Sequence, residues 1–342
     1  MGDLSKLHIH IVDSVKGGSG KSTFSTKLCY SLIEQNKKAC IVDLDLMGTS
    51  WYHLYQNAIT LNNYANDKRM VFLNDLVNDF EYYKTMIYDH KIDFVRTIDG
   101  KQLSIPVIFC NPSPKAKKHF KITDKAHTVD VSFSFFKNVV FKLLLELQEK
   151  DYTHIIFDMP PNSDPYSNLI LDSCLMVDKK FKTSLYMVSN MNQAHVKSTF
   201  EWYSDLINDP KSRHIISLPE PPAWDWSEPF NNEVIDLNAP NPEEKKQMLH
   251  DILKDKEEWL YKTNTHFFFV FNDCMKRDTI FNSENDCKAF AEMGGEIGDK
   301  LVFYFVGFDE PYSNATDSFY SGNPRQIEFG NIFDNRSFKV ID

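Results

Sequence analysis

Short apolar runs of strand length alternate, along most of this chain, with segments whose apolar residues recur at helical spacing. Leu7 to Val12, Ala39 to Val42, Ser104 to Cys110, Thr153 to Phe157, Ser184 to Ser189, His266 to Phe271 and Leu301 to Phe308 read as strands. Between them, Phe24, Leu28 and Leu32 share one helical face. Val131 to Leu147 is a second apolar-faced helix and Gln193 to Ile207 a third. Strands that are apolar nearly throughout suit a sheet covered on both faces. The alternation therefore predicts an α/β fold, a twisted, mostly parallel sheet flanked by helices in a doubly wound three-layer sandwich. One exception is expected at Arg96 to Gln102, where Asp99-Gly100 between two alternating runs signals a β-hairpin.

Composition narrows the class. A 42% hydrophobic content over 342 residues supplies an ample core. The longest apolar runs are too short to span a bilayer, so no transmembrane segment is expected. No secretion signal opens the chain, and it is read as cytoplasmic. Six cysteines, at 29, 40, 110, 174, 274 and 287, include no C-x-x-C pair.

Chemistry concentrates at Lys16-Gly17-Gly18-Ser19-Gly20-Lys21-Ser22-Thr23, between the first strand and the first helix. That context is the one a phosphate-binding loop needs. Glycines let successive N–H groups turn inward on phosphate oxygens, and the following helix adds the positive end of its dipole. The natural ligand is a nucleoside triphosphate. Lys21 would contact its β- and γ-phosphates, and Ser22 would ligate Mg²⁺.

Val15 stands where the usual loop pattern has its first glycine, but the variant K-G-G-x-G-K-[ST] is complete. On these residues the chain resembles the deviant Walker A ATPases of the ParA/MinD family. The resemblance implies that Lys16 reaches the phosphates of a facing subunit in an ATP-bound homodimer. It extends to Asp43-Leu44-Asp45 after the second strand, similar to the family's D-x-D switch segment. There Asp45 would orient the attacking water and Asp43 would join the magnesium shell. It extends also to Asp158-Met159-Pro160-Pro161, similar to the Walker B element D-x-P-P, with Asp158 holding a magnesium-bound water. Late in the chain, the family's adenine contacts would fall to Asn272 and Pro311, although Asn272 also suits an ordinary strand-end cap.

Against that family the chain is expected to form one P-loop ATPase domain over residues 1–342, with additions at about 59–104 and 218–262. The second addition opens with Pro219, Pro221, Pro222, Trp224, Trp226 and Pro229, which preclude a regular helix and suit a lid or binding loop. It continues from Asn241-Pro242-Glu243-Glu244 into a helical stripe through Met248, Leu249, Ile252, Leu253 and Leu260. The stripe is expected to pack on the parent domain, and a protein partner to dock through the tryptophan loop of this insert. A basic cluster, Lys115 to Lys121, leaves a local DNA-backbone patch open, but a net charge of −10 disfavours DNA. Residues 323–342 lack the basic amphipathic helix of a membrane-docking relative and the tyrosine cluster of bacterial tyrosine kinases.

Together these features imply an Mg²⁺-dependent ATPase acting as an ATP-driven dimerisation switch, in partition, positioning or partner regulation. Two rivals share the loop. A metabolic P-loop ligase or small-molecule kinase of the dethiobiotin or cobyrinate type would turn over ATP only with a small acceptor. A nucleotide-sensing interaction module would bind ATP with negligible turnover. The missing C-x-x-C pair weighs against the metal-bridged relatives, the tail-anchored-protein targeting and iron–sulfur carrier ATPases.

Overall fold

A computed structural model describes residues 7–45, 51–52, 59–61, 71–84, 90–96, 102–111, 139–140, 142–160, 182–190, 192–208, 266–274, 301–307, 327–329 and 336–339. The strands are β1 (His8–Asp13), β2 (Ala39–Asp43), β3 (Ile59–Leu61), β4 (His90–Arg96), β5 (Gln102–Ile108), β6 (His154–Asp158), β7 (Lys182–Asn190), β8 (His266–Cys274), β9 (Leu301–Gly307), β10 (Ile327–Phe329) and β11 (Arg336–Lys339). The helices are α1 (Lys21–Glu34), α2 (Leu73–Asn78), α3 (Phe80–Tyr83) and α4 (Gln193–Asn208), and residues 142–149 are also helical.

One sheet gathers the strands in the order β10-β4-β5-β2-β6-β1-β7-β8-β9-β11, with β3 beside β4. From β5 to β9 every neighbouring pair is parallel. These strands are the apolar runs of the sequence, and Ile9, Ile11, Ile41, Ile155, Ile156, Leu185, Met187 and Phe269 are wholly buried. Each such side chain contributes about 1.5–3 kcal/mol when withdrawn from water. At one edge β4 runs antiparallel to β5, pairing Lys91 with Pro106 and Val95 with Gln102. This is the expected hairpin; its turn lies outside the described residues. β3, α2, α3 and β4 all lie within residues 59–104.

Two helix endings aim the strands that matter for chemistry. After α1, Asn36 takes φ 60°. Its N–H donates to Ile33 O at 2.9 Å, and Lys37 N–H donates to Leu32 O at 3.0 Å. This is a Schellman ending with asparagine in the left-handed position, and it turns the chain into β2. The same device follows the helical residues 142–149. Asp151 has φ 63° and donates to Gln148 O at 2.9 Å, while Tyr152 N–H reaches Leu147 O at 3.0 Å. The chain then enters β6, where the Thr153 N–H donates to Lys38 O at 2.9 Å and ties the two starts together.

The 218–262 insert, the Lys115 to Lys121 cluster and residues 131–138 of the expected second helix lie outside the described residues.

Candidate nucleotide-binding site

Because β1, β2 and β6 are parallel neighbours, their carboxyl ends share one edge of the sheet, the edge at which open α/β sheets bind ligands. The register sets Asp43 directly opposite Asp158 and Val12 opposite Asp158. The loop from Ser14 to Gly20 crosses this edge and feeds α1. Gly18 and Gly20 have φ of 75° and 87°, a left-handed region in which a side chain is strained. The space around Gly18 is open, so conformation and not crowding calls for glycine there. Gly20 is also the N-cap of α1.

Lys16, Gly17 and Gly18 are exposed on the crest of the loop, whereas Ser19 and Lys21 are buried and Ser22 and Thr23 half-buried. The Lys21 ammonium donates to Ser14 Oγ at 3.0 Å, and Ser14 Oγ donates to Lys16 O at 2.9 Å. Ser14 thus braces the loop beneath the position where phosphate oxygens would lie. Among the described residues, the main-chain N–H groups of Gly17, Gly18 and Gly20 meet no protein acceptor. Donors left over in this way, at the head of a 14-residue helix, fit an anionic ligand.

Asp158 collects three donors: Ser22 Oγ on Oδ2 at 2.8 Å, Ser25 Oγ on Oδ1 at 2.9 Å, and the Trp51 indole N–H on Oδ2. Asp43 accepts the Asp45 N–H on Oδ1 at 3.0 Å and the Cys110 N–H on Oδ2 at 3.3 Å. Cys110 Sγ also donates to the Asp43 carbonyl at 2.9 Å. Both carboxylates are almost fully buried. Burial holds Asp43 well above the usual carboxylate range, and the charges of Asp158 and Asp45 push it further. Burial also raises Asp158, opposed by Lys21 and by its three hydrogen-bond donors.

Two buried acids and a hydroxyl, all hard oxygen donors, suit Mg²⁺ and relieve a charge that the protein alone balances poorly. Ser22, Asp158 and Asp43 are the residues that would hold the ion. Asp45 lies half-buried just beyond β2. Asn272, at the end of β8, is wholly buried and donates through Nδ2 to Ser19 O at 3.4 Å. Its Oδ1 meets no partner among the described residues. Pro311 lies outside the described residues.

Four contributors were not picked out in the sequence. Ser25 follows Ser22 by three residues and so shares its helical face, a signal present in the loop sequence. Ser14, Trp51 and Cys110 carry no motif. Cys110 reaches Asp43 only because β5 lies beside β2, and Trp51 reaches Asp158 across 107 residues of chain.

Comparison with known proteins agrees with this geometry in its amino-terminal part. The family model described as ParA, NUBPL iron-transfer P-loop NTPase, matches residues 6–73. The cytosolic Fe-S cluster assembly factor NUBP2 of Rattus norvegicus is 53% identical over 47 residues, covering 14% of this chain and 17% of that protein. NUBP2 of Gallus gallus is 56% identical over 43 residues, covering 13% and 16%. The chain therefore matches less than a fifth of the length of these relatives.

Among solved structures, the septum site-determining protein MinD of Pyrococcus horikoshii with Mg-ADP aligns over 92% of this chain and 86% of its own, at TM-score 0.48 and 14% identity. An ATP complex of Cyanothece McdA aligns over 92% and 88%, at 0.46 and 12%. Over residues 6–73, which hold the loop, α1 and β2, the chain is thus similar to the ParA family of P-loop NTPases.

Proposed function

We propose that this protein is an Mg²⁺-dependent ATPase that works as an ATP-driven dimerisation switch. The observation that carries the reading is the convergence of Lys21, Ser22, Asp43 and Asp158 at one edge of the sheet, under a loop whose Gly17, Gly18 and Gly20 N–H groups meet no protein acceptor among the described residues. Lys21 neutralises the β- and γ-phosphates, and the loop N–H groups orient them. Ser22, Asp158 and Asp43 would hold the metal ion. A bound Mg²⁺ would neutralise charge on the phosphate oxygens. Phosphoryl transfer to water needs positioning and charge neutralisation more than a protein nucleophile, and Asp45 is placed beyond β2 to orient that water. Lys16, exposed on the loop crest, is available to a second copy of the chain. ATP would then bridge two subunits, and hydrolysis would release them. The test is ATPase rate and oligomer size measured together, with and without Mg²⁺, DNA and lipid vesicles. A chain that stays monomeric and hydrolyses nothing under all of these conditions is not such a switch.

The short, close match to NUBP2 and the iron-transfer description of the matched family favour a second reading, a role in Fe-S cluster assembly with the cluster as cargo. The six cysteines weigh against it, since none forms a C-x-x-C pair. Anaerobic incubation with iron and sulfide separates the two. A chromophoric cluster retained through gel filtration favours assembly, and its absence alongside ATP-dependent dimerisation favours the switch.

A further inference from the structure

At the end of the sheet opposite the phosphate loop, three imidazoles converge. Parallel pairing sets His8 beside His154, and the two-residue period of a strand puts His10 on the same face as His8. Ring centroids lie 4.0 Å apart for His8 and His10, 5.3 Å for His10 and His154, and 5.5 Å for His8 and His154. One ring nitrogen from each residue falls within 4.8 Å of the other two. His10 is only 3% exposed. Its Nδ1 is engaged by the Tyr186 hydroxyl at 3.1 Å, yet its Nε2 meets no hydrogen-bond partner among the described residues. A buried ring nitrogen without a partner inside a ring of imidazoles is the arrangement a metal ion satisfies.

We propose that His8, His10 and His154 form a three-histidine site for a divalent transition-metal ion of the zinc class, with solvent or a small anion as fourth ligand. Hydroxyl groups orient each ring. Ser184 Oγ lies 2.8 Å from His8 Nε2, and Thr153 Oγ1 lies 2.9 Å from His154 Nδ1. Such outer contacts fix the tautomer of ligating histidines. The ligating form is the neutral ring, and burial keeps two of the three neutral. His10 is held well below the usual imidazole range, and His154 is lowered to about 4.

Lys37 and Lys182 are near enough to lower His154 further, and their charge would draw an anion to the fourth position. Tetrahedral coordination needs ligand nitrogens about 3.3 Å apart, so the rings would close in by small rotations. The site is separate from the phosphate loop, because His8 and Asp13 stand at opposite ends of β1, about 17 Å apart at the rise of a strand. It does not rest on the nucleotide reading.

The test uses the full chain, stripped with a chelator and titrated with cobalt(II) chloride in excess Mg²⁺. We expect one Co²⁺ per chain with the strong visible bands of a four-coordinate site, bleached by zinc chloride. His154→Gln and His8→Gln should each weaken binding at least tenfold. His195→Gln, on α4, should leave it unchanged. His154 is half-buried, so its variant should keep the native circular dichroism, which is checked first. Absence of bound Co²⁺ in the parent protein would overturn the site. So would unchanged affinity in both folded variants, which would leave the three rings as packing alone.

Discussion

The Ser22 hydroxyl donates to Asp158 Oδ2 at 2.8 Å although 136 residues separate them in sequence. One residue opens α1 and the other ends β6, so the contact would join the proposed phosphate-binding and metal-binding halves of the site. Asp158→Asn should therefore weaken Mg²⁺-ATP binding by about 10- to 100-fold and leave Mg²⁺-free nucleotide binding nearly unchanged. Lys21→Ala should abolish both, because it removes the buried ammonium that would neutralise the phosphates. Calorimetry with and without Mg²⁺ checks the pair. If Lys21→Ala bound ATP with parental affinity, the functional reading would lose its basis.

The Asp43–Asp158 pair makes the metal-free protein sensitive to pH. The folded state holds Asp43 well above its ordinary range through burial and through the charge of Asp158. At a pH above the ordinary aspartate value, about 4, the unfolded chain has released this proton while the folded chain retains it. The stability that Asp43 contributes in chelator should therefore be full below about pH 4 and be lost as pH rises through the elevated folded value. Asp43→Asn gives up the longer of two hydrogen bonds, that from the Cys110 N–H, but removes the cost of taking up a proton on folding. The second effect should win and raise the melting temperature at pH 7 by about 2–4 °C. Thermal melts in chelator from pH 4 to 8 decide it; a variant that melts lower than the parent at pH 7 would refute the argument.

How legible the site was depends on whether a residue's role is local. The loop could be read because strand, glycines, lysine and helix are contiguous, and the register of β2 against β6 then placed Asp43 beside Asp158 as the parallel sheet requires. The hairpin could be read because Asp99-Gly100 is a short-range turn signal. Trp51, Cys110 and the three-histidine cluster could not. Each is defined by which strands are neighbours, and no spacing along the chain encodes that β6 lies between β2 and β1. His8 and His154 are neighbours only once that order is known. The antiparallel edge strand β3 and the late strands β10 and β11 were likewise unread, being three or four residues long and without clear alternation.

Asp45 sits just past β2, and its N–H is anchored to Asp43 Oδ1 at 3.0 Å. The main chain there is held by the Asp43 carboxylate while the side chain is half-buried. Asp45→Ala should consequently bind ATP about as well as the parent, lose hydrolysis by about 100-fold or more, and accumulate as an ATP-bound dimer. Light scattering with Mg²⁺-ATP reads the mass. A variant that remains monomeric while retaining bound ATP would count against the switch mechanism.

Asn272 separates two explanations of a buried strand-end amide. Its Nδ2 supports the phosphate loop through Ser19 O at 3.4 Å, and its Oδ1 is a buried acceptor without a partner among the described residues. An adenine amino group would satisfy that oxygen, whereas the carbonyl of guanine would oppose it. If Asn272 reads the base, Asn272→Ala should weaken ATP binding by about 3- to 10-fold, the worth of one ordinary hydrogen bond, and should leave GTP binding unchanged or improved. If it only braces the loop, both nucleotides should weaken together, because the loop grips the phosphates they share. Competition of ATP and GTP for the parent and the variant gives the ratio directly, and a ratio that does not move removes Asn272 from base recognition.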